Sequence, residues 1–339
     1  MHGPVYEIVN DEEDSNMKPL SHTATVQALT RAEAETHGRF NVNHRKRVCF
    51  LRYLYSLAHK QIANSEILDL GCGAGVECIA AALMGAKRAV GIDIDESGLG
   101  QMSMILSYLR SSGIKPPVES IEQNLMRGIP FSDNSFDIVL LIEAVSHIVE
   151  LERVLKEALR ATKPGGVIVV KDINNLLTIG KWRGHVALWD KWENGPIPGN
   201  EDSADCDRSY KSMRRCIIAN AYPDLIEEQL EELSAATTGT YGAGIREVVD
   251  TYLASGQMPD NRYERGTCPV SPDGRYMERL FDPHELARLL EDIGASRAVV
   301  MPYLTHGNWY RALINKLFGL LPREIALRLS HGFIVIAYK

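Results

Sequence analysis

The chain has 339 residues, with 37 Lys or Arg against 44 Asp or Glu, so its formal net charge is −7 at pH 7. An acidic chain that is 45% hydrophobic and 24% charged is not typical of a disordered protein or of one that neutralises many nucleic-acid phosphates. The six cysteines have no CxxC spacing. The absence of this spacing excludes a disulfide scaffold and a zinc ribbon, and it favours a reducing compartment.

The first 22 residues are polar and acidic, and Asp11 to Asp14 contribute four consecutive carboxylates. We expect a loose N-terminal segment without a secretory signal, which would carry basic and then apolar residues. No window holds 18 uncharged apolar residues, so the sequence also predicts no transmembrane segment. These observations together predict a cytoplasmic protein.

Residues 23–172 have the sequence pattern of an α/β core. Apolar residues recur at helical spacing over 23–60, and from Ser65 strands and helices alternate for about 110 residues. Alternation of this kind predicts a parallel sheet with right-handed crossovers. The predicted strands are 66–70, 88–94, 118–121, 135–142 and 167–170, and the predicted helices are 76–84, 97–112 and 151–159.

Residues 173–280 lack this alternation of strands and helices, and the alternation returns in residues 281–339. A structureless loop of that length is unusual inside a domain, so we interpret 173–280 as a partly helical lid inserted after the fifth strand. The last segment predicts a helix that starts at Pro283, closing strands over 297–301 and 333–337, and a helical insert over 309–329. That insert is amphipathic and basic, and it either packs on its own domain or contacts a membrane or a partner.

A glycine turn carries the first functional signal. Gly71, Gly73 and Gly75 lie between a predicted buried strand and a helix, and Asp93 ends the next strand. Glycine allows a tight turn and close approach of a ligand, and the acid can accept both hydroxyls of a ribose. Asp69, two residues before the turn, would repel a pyrophosphate. It suits a cationic amino group, which favours S-adenosylmethionine over NAD.

Four motifs in this order resemble class I S-adenosylmethionine-dependent methyltransferases. The resemblance covers about 65–172 and, more loosely, 281–339. It implies a Rossmann-like, doubly wound, mostly parallel seven-stranded sheet with an antiparallel last strand. The motifs are Ile67-Leu68-Asp69-Leu70-Gly71-Cys72-Gly73-Ala74-Gly75, then Val90-Gly91-Ile92-Asp93-Ile94-Asp95, then 129–139 and 159–166.

The same resemblance implies a set of cofactor contacts. Asp93 would bind the ribose, Ile94 the adenine, and Asp69 the methionine moiety. The remaining implied contacts are Gly71, Cys72 and Gly73 in the turn, Ile142 under the sulfonium, and Asn124 with Leu125 where the family often has Asp. Arg39, His44 or Arg45 would meet the cofactor carboxylate, unless these residues are only solvent-exposed.

Two groups just past the fourth strand are candidate catalytic residues. His147 is a candidate general base, or a histidine that merely packs beside the strand, and Glu143 is a second candidate that alternatively only lines the site. Glu143, Asp172 and Asn174 also loosely resemble the magnesium triad of catechol-type O-methyltransferases. The lid counts against that interpretation, so we predict no metal.

The sequence therefore predicts methyl transfer to an oxygen or nitrogen atom of a small molecule, a secondary metabolite or a sugar or glycan precursor. Aromatic residues of the lid, among them Trp182, Trp189 and Trp192, would contact that acceptor or form the lid's own core. No nucleic-acid partner is expected, and the oligomeric state stays open. Alternatives are methylation of RNA or protein, and a non-catalytic module that only binds S-adenosylmethionine.

Overall fold

A computed structural model describes residues 18–36, 43–197, 206, 208–257, 271–274, 277–303 and 317–339. Seven strands form one sheet in the order β3-β2-β1-β4-β5-β7-β6. Strands β1 to β5 run parallel, and β7 lies antiparallel between β5 and β6. The strands are β1 Glu66–Leu70, β2 Arg88–Asp93, β3 Val118–Glu122, β4 Phe136–Ile142, β5 Thr162–Asp172, β6 Arg297–Tyr303 and β7 Gly332–Tyr338. The predicted fold class is confirmed.

Eleven helices are assigned within the described residues. The predicted helical stretch 23–60 contains two of them, and residues 37–42 between these two lie outside the described residues. The helices are α1 His22–Glu35, α2 His44–Leu57, α3 Val76–Leu83, α4 Glu96–Ser111, α5 Leu151–Ala161, α6 Lys181–Asn194, α7 Tyr210–Ala221, α8 Glu227–Ala236, α9 Ala243–Ser255, α10 Pro283–Asp292 and α11 Arg323–Leu329. None of them is long and apolar enough to cross a bilayer.

The sheet is covered on both faces, and the alternation of strand residues decides what each face receives. Ile67 packs with α1 to α4, whereas Leu68 and Leu70 pack with α5, α10 and α11. Burying each such side chain stabilises the fold by about 1.5–3 kcal/mol. Because side chains alternate along a strand, Asp69 shares the face of Ile67 and lies beneath α2 and α3.

Helix α2 carries a charged residue to that same face. Asn43 caps the helix, since its side chain accepts a hydrogen bond from the Lys46 backbone N–H at 3.0 Å. The cap fixes the first turn of α2, in which Arg45 and Lys46 are exposed and Arg47 is half-buried. Residues 44–47 form a basic run, and the structure therefore exposes only part of it to solvent.

The insert contains α6 to α9 and has a small core of its own. Helices α7 to α9 bury apolar residues against one another, and Arg214 of α7 is fully buried in an ion pair with Glu193 of α6. Trp189 and Trp192 are also buried, and the Trp192 ring lies 6.0 Å from that of Tyr210. At these two tryptophans the structure favours packing within the insert over contact with an acceptor. The Trp182 side chain lies outside the described part.

A disulfide joins Cys206 to Cys216 across ten residues of the insert. The cysteine spacing did not indicate this bridge, because neither residue belongs to a recognisable pair motif. Disulfides are typical of oxidising compartments. Because of this disulfide, the cysteines no longer support the prediction of a reducing compartment.

Candidate active site

A cavity of about 420 Å³ opens at the carboxyl ends of β1, β2 and β4. In open α/β sheets this edge is where ligands bind. Eight of the predicted site residues line the cavity: Gly71, Gly73, Asp93, Ile94, Asn124, Leu125, Glu143 and His147. The other three, Asp69, Cys72 and Ile142, are buried behind its wall.

The glycine turn has the geometry that its sequence predicts. Gly71 has a φ of +78°, and a Cβ built there would lie 2.6 Å from the Ala144 Cβ. Any side chain at this position would therefore clash as well as strain the backbone. The Gly73 N–H donates to Asp93 Oδ2 at 2.6 Å, and the Asp95 N–H donates to Oδ1 at 2.9 Å. Asp93 thus ties the turn to the end of β2.

Asp69 is a buried carboxylate with an unused acceptor. The Cys78 thiol donates to its Oδ2 at 3.8 Å, and its Oδ1 has no hydrogen-bond partner among the described residues. Burial raises the pKa of Asp69 well above its usual range, and repulsion from Glu77 and Asp93 adds to the rise. A cationic amino group near Oδ1 would satisfy this carboxylate, which fits the methionine end of S-adenosylmethionine.

The end of the cavity that is predicted to bind the adenine is more open than the end near Asp69. Ile94 follows β2 with 55% of its surface exposed, as a residue that covers an adenine would require. The Asn124 side chain accepts the Met126 N–H at 2.9 Å and so caps a short 3₁₀ turn, Leu125–Arg127. A carbonyl oxygen has two lone pairs, so this contact leaves acceptor capacity for an amino group.

Three basic residues were predicted to meet the cofactor carboxylate, and a fourth, Arg47, lies on the same helix as two of them. His44 is buried against Glu33, with 2.5 Å between Nε2 and Oε2. Arg45 is exposed and Arg39 lies outside the described residues. Arg47 Nη1 instead donates to Glu77 Oε1 at 2.8 Å.

The pKa of Arg47 shows which acids surround it. That pKa is raised chiefly by Glu77 against the opposing effect of burial, and further by Glu143 and Asp69. The guanidinium therefore lies on the same side of the sheet as the predicted methionine end. Sequence reasoning noticed this residue only as part of a basic run.

Glu143 is held by a lysine that the sequence analysis overlooked. Lys171, at the end of β5, is almost fully buried and pairs with the Glu143 carboxylate. Its ammonium lies 4.5 Å from the centre of the Tyr303 ring. Burial tends to raise the pKa of Glu143, but Lys171 outweighs it and the net pKa is lowered. A paired carboxylate with a lowered pKa is a weak base, which favours the interpretation that Glu143 lines the site.

His147 is positioned by the end of the insert. Its Nδ1 lies 3.1 Å from the Met277 carbonyl oxygen and 3.2 Å from Glu278 Oε2. Asn174 donates to the other oxygen of Glu278. Burial tends to lower the pKa of His147, but Glu278, together with the Met277 carbonyl and Asp172, leaves the net pKa raised. No local signal marks Glu278 in the sequence, because it follows His147 by 131 residues.

The three side chains of the magnesium alternative each have protein partners. Asp172 accepts backbone N–H groups from Ser146 at 3.3 Å and Asn174 at 2.8 Å. Glu143 is paired with Lys171, and the Asn174 amide with Glu278. Over the described ranges, no three His, Cys, Asp or Glu side chains are grouped so that they could hold a metal ion.

Comparison with known proteins gives the same family as the motifs. Residues 62–220 match a family described as a methyltransferase domain. A ubiquinone biosynthesis O-methyltransferase of Agrobacterium fabrum is 29% identical over 133 residues, which are 39% of this chain and 50% of that protein. A sterol 24-C-methyltransferase of Gibberella zeae is 33% identical over 105 residues, 31% of this chain and 27% of that protein.

Among solved structures, an S-adenosylmethionine-dependent methyltransferase from Mesorhizobium loti is 15% identical, with 85% of this chain and 96% of that chain covered and a TM-score of 0.44. This chain spans about half the length, or less, of the curated relatives named above. The sheet order and the glycine turn agree with the fold that the motifs imply. Residues 62–220 therefore form a domain that matches the methyltransferase family.

Proposed function

We propose that the protein transfers a methyl group from S-adenosylmethionine to an oxygen or nitrogen atom of a small molecule, such as a secondary metabolite or a sugar or glycan precursor. The cavity of about 420 Å³ carries the proposal. One wall holds the glycine turn and Asp93, and another holds Glu143 and His147. A nucleotide-type cofactor and a group able to accept a proton would share this space, in which S-adenosylhomocysteine is the product.

The residues around the cavity fit S-adenosylmethionine. Asp93 would accept the ribose hydroxyls, and Ile94 would cover the adenine near Asn124 and Leu125. At the other end Asp69 would attract the amino group, and Arg47 would attract the carboxylate. Cys72 and Ile142 would support the turn and the cavity floor from behind. When bound, the cofactor supplies an activated methyl group, so the protein's main contribution is alignment of the acceptor.

His147 would accept the proton that a hydroxyl acceptor loses. The Met277 carbonyl can only accept a hydrogen bond, so Nδ1 must carry the proton in that contact. A neutral imidazole in this tautomer has its lone pair on Nε2. Because Glu278 raises the pKa of His147, it makes the imidazole a stronger base.

The insert would bound the acceptor side as a lid. Glu278, near its end, contacts His147, and Asn174, near its start, contacts Glu278. Both ends of the insert therefore meet at the site. The relatives named above carry O- and C-methyl transfer in their names, so the shared domain does not set the acceptor atom. Residues of the insert are better placed to do so.

Calorimetric titration of the protein with S-adenosylhomocysteine tests the cofactor half of the proposal. We expect micromolar binding that Asp93→Ala weakens strongly and that Asp133→Ala, at an exposed acid outside the cavity, leaves unchanged. Release of S-adenosylhomocysteine from a panel of hydroxyl and amine acceptors then tests turnover. Absence of cofactor binding contradicts the whole proposal.

Two other outcomes would point to the alternatives. Binding without turnover of any acceptor indicates a non-catalytic module. Salt-sensitive retention on RNA, with turnover of RNA alone, indicates a macromolecular acceptor.

A further inference from the structure

Exposed aliphatic side chains occur shortly after β5 and in the segment that leads into and forms α11. Leu320 is 82% exposed and Ile179 is 73% exposed, which is unusual for aliphatic residues in one region of a folded protein. Four more aliphatic residues contribute smaller exposed fractions. We call this set the apolar face: Ile179, Leu317, Leu320, Leu321, Ile325 and Leu329.

Backbone contacts join the two segments that form the apolar face. The Ile179 N–H donates to the Arg328 carbonyl at 3.0 Å, and the Thr178 hydroxyl donates to the Ser330 carbonyl at 2.9 Å. Ile325 and Leu329 are four residues apart on α11 and therefore share one side of that helix. The opposite side of α11 buries Leu327 in the core. Ile179 thus lies beside the C-terminal end of α11, whose other side is anchored in the core.

Cationic groups border the apolar face. Arg328 of α11 is exposed, and Lys181 begins α6 directly after Ile179 and Gly180. The pKa of His331 is lowered by burial and also by Lys181 and Lys171, although Glu143 acts to raise it. Glu324 is the acid of α11, and it pairs with His284 at 3.1 Å. This local positive charge contrasts with the net charge of −7 for the chain.

We propose that the apolar face binds the surface of an anionic lipid bilayer. Protruding aliphatic side chains bordered by arginine and lysine are suited to the membrane interface, where apolar groups enter the acyl boundary and cations meet lipid phosphates. The most exposed leucine, Leu320, lies on a turn rather than in a groove. A protruding turn favours insertion into a deformable surface over docking of a protein segment.

The position of the apolar face relates lipid binding to the cavity. His331 directly precedes β7, next to the face, and it interacts electrostatically with Glu143 of the cavity. Lipid contact would hold the acceptor side of the cavity near the bilayer, where amphiphilic acceptors concentrate. The binding itself does not depend on the proposed methyl transfer and is tested separately from it.

Flotation of the whole protein with vesicles tests the proposal. We expect it to float with phosphatidylcholine vesicles that contain phosphatidylglycerol, more weakly with phosphatidylcholine alone, and less as salt rises. Ile179→Asp combined with Leu320→Asp should lower the affinity at least tenfold. Arg328→Gln and Lys181→Gln should each lower it about fivefold, and only on the anionic vesicles.

Matched controls lie on α9, away from the face. Leu253 is 50% exposed and Arg246 is exposed, so Leu253→Asp and Arg246→Gln change the same chemistry without changing the face. Both should float like the unmodified protein, and all variants should keep the thermal midpoint and the affinity for S-adenosylhomocysteine. That last measurement separates failure of this proposal from failure of the proposed function.

Two results would overturn the proposal. One is equal flotation of the aspartate double variant and the unmodified protein, or no preference for anionic vesicles. The other is a fall in oligomeric state of the double variant, measured by light scattering, without any vesicle binding by the unmodified protein. The second result would mean that the face pairs two copies of the chain.

Discussion

The cofactor end and the acceptor end of the cavity are assembled in different ways. At the cofactor end, Gly73 and Asp93 are 20 residues apart in sequence, and the Gly73 N–H donates to the Asp93 carboxylate at the ends of two adjacent strands. At the acceptor end, His147 contacts the Met277 carbonyl, 130 residues away, across the whole insert. The first arrangement is local backbone geometry, whereas the second needs the insert to fold back.

Because the two ends of the cavity are built differently, a substitution can alter one end and leave the other unchanged. A substitution in the insert can move Glu278, and with it His147, while the glycine turn keeps its shape. Acceptor choice can therefore vary by changes in the insert without loss of the cofactor site. The four predictions below test whether the two ends are as independent as their construction indicates.

The largest expected effect is at the acceptor end. His147→Ala should lower turnover by about 10²–10⁴, the usual contribution of a positioned general base, and should leave the affinity for S-adenosylhomocysteine within about twofold. Steady-state rates and calorimetry check the two quantities. His284→Ala is the control, since His284 lies on α10 and pairs with Glu324 outside the cavity. A loss below tenfold would support a packing role for His147.

At the cofactor end, Gly71→Ala should weaken cofactor binding about 100-fold. The added Cβ would meet the Ala144 Cβ at 2.6 Å, and an alanine at a φ of +78° costs roughly 1–2 kcal/mol by itself. Gly113→Ala is the matched control, because its φ is +82° but no atom lies within 4 Å of the added Cβ. Equal loss of affinity in both variants would show that backbone strain, and not the close approach, is what matters.

A smaller effect is expected at Glu278, where the two ends of the insert meet beside His147. Glu278→Gln should lower the maximal rate about tenfold and shift the acidic limb of the kcat/KM profile to lower pH. The base must be neutral, so the rate falls as pH drops through the pKa of His147. Removing Glu278 lowers that pKa, although Asp172 still acts to raise it. A purely structural role for Glu278 would change the rate without moving the limb.

The smallest effect concerns stability. Asp69→Asn should raise the thermal midpoint by about 2 °C near pH 7 and weaken S-adenosylmethionine binding. Burial raises the folded-state pKa of Asp69, so the fold loses stability as pH rises from the ordinary carboxyl pKa towards the raised one. The gain from Asp69→Asn should therefore fade as pH is lowered through that range. Asp137→Asn is the opposite control, because Asp137 accepts the Glu66 N–H at 2.8 Å and pairs with Lys163 at 3.0 Å. We expect that variant to be less stable, and a destabilised Asp69→Asn would contradict the account of burial.

The sequence predicted the sheet and the cofactor end because both depend on local signals. Asp93 was found because an acid at the end of the second strand must lie beside the glycine turn. Arg47 was missed because three neighbouring basic residues look alike until the helix phase is known. Lys171 had only a weak signal, as a single charge at the end of an apolar strand. Glu278 had none, since its distance to His147 depends on a fold-back that no spacing encodes.

The position of β7 has a consequence for how the chain folds. β7 follows β6 in sequence yet lies between β5 and β6. Until residues 332–338 are in place, β6 has no strand to bond and β5 has an open edge, even though β1 to β5 can already pair. Closing the sheet thus requires contacts between segments separated by the whole insert, which slows folding because long loops must be closed first. We expect the β1 to β5 region to gain hydrogen-exchange protection before β6 and β7 during refolding.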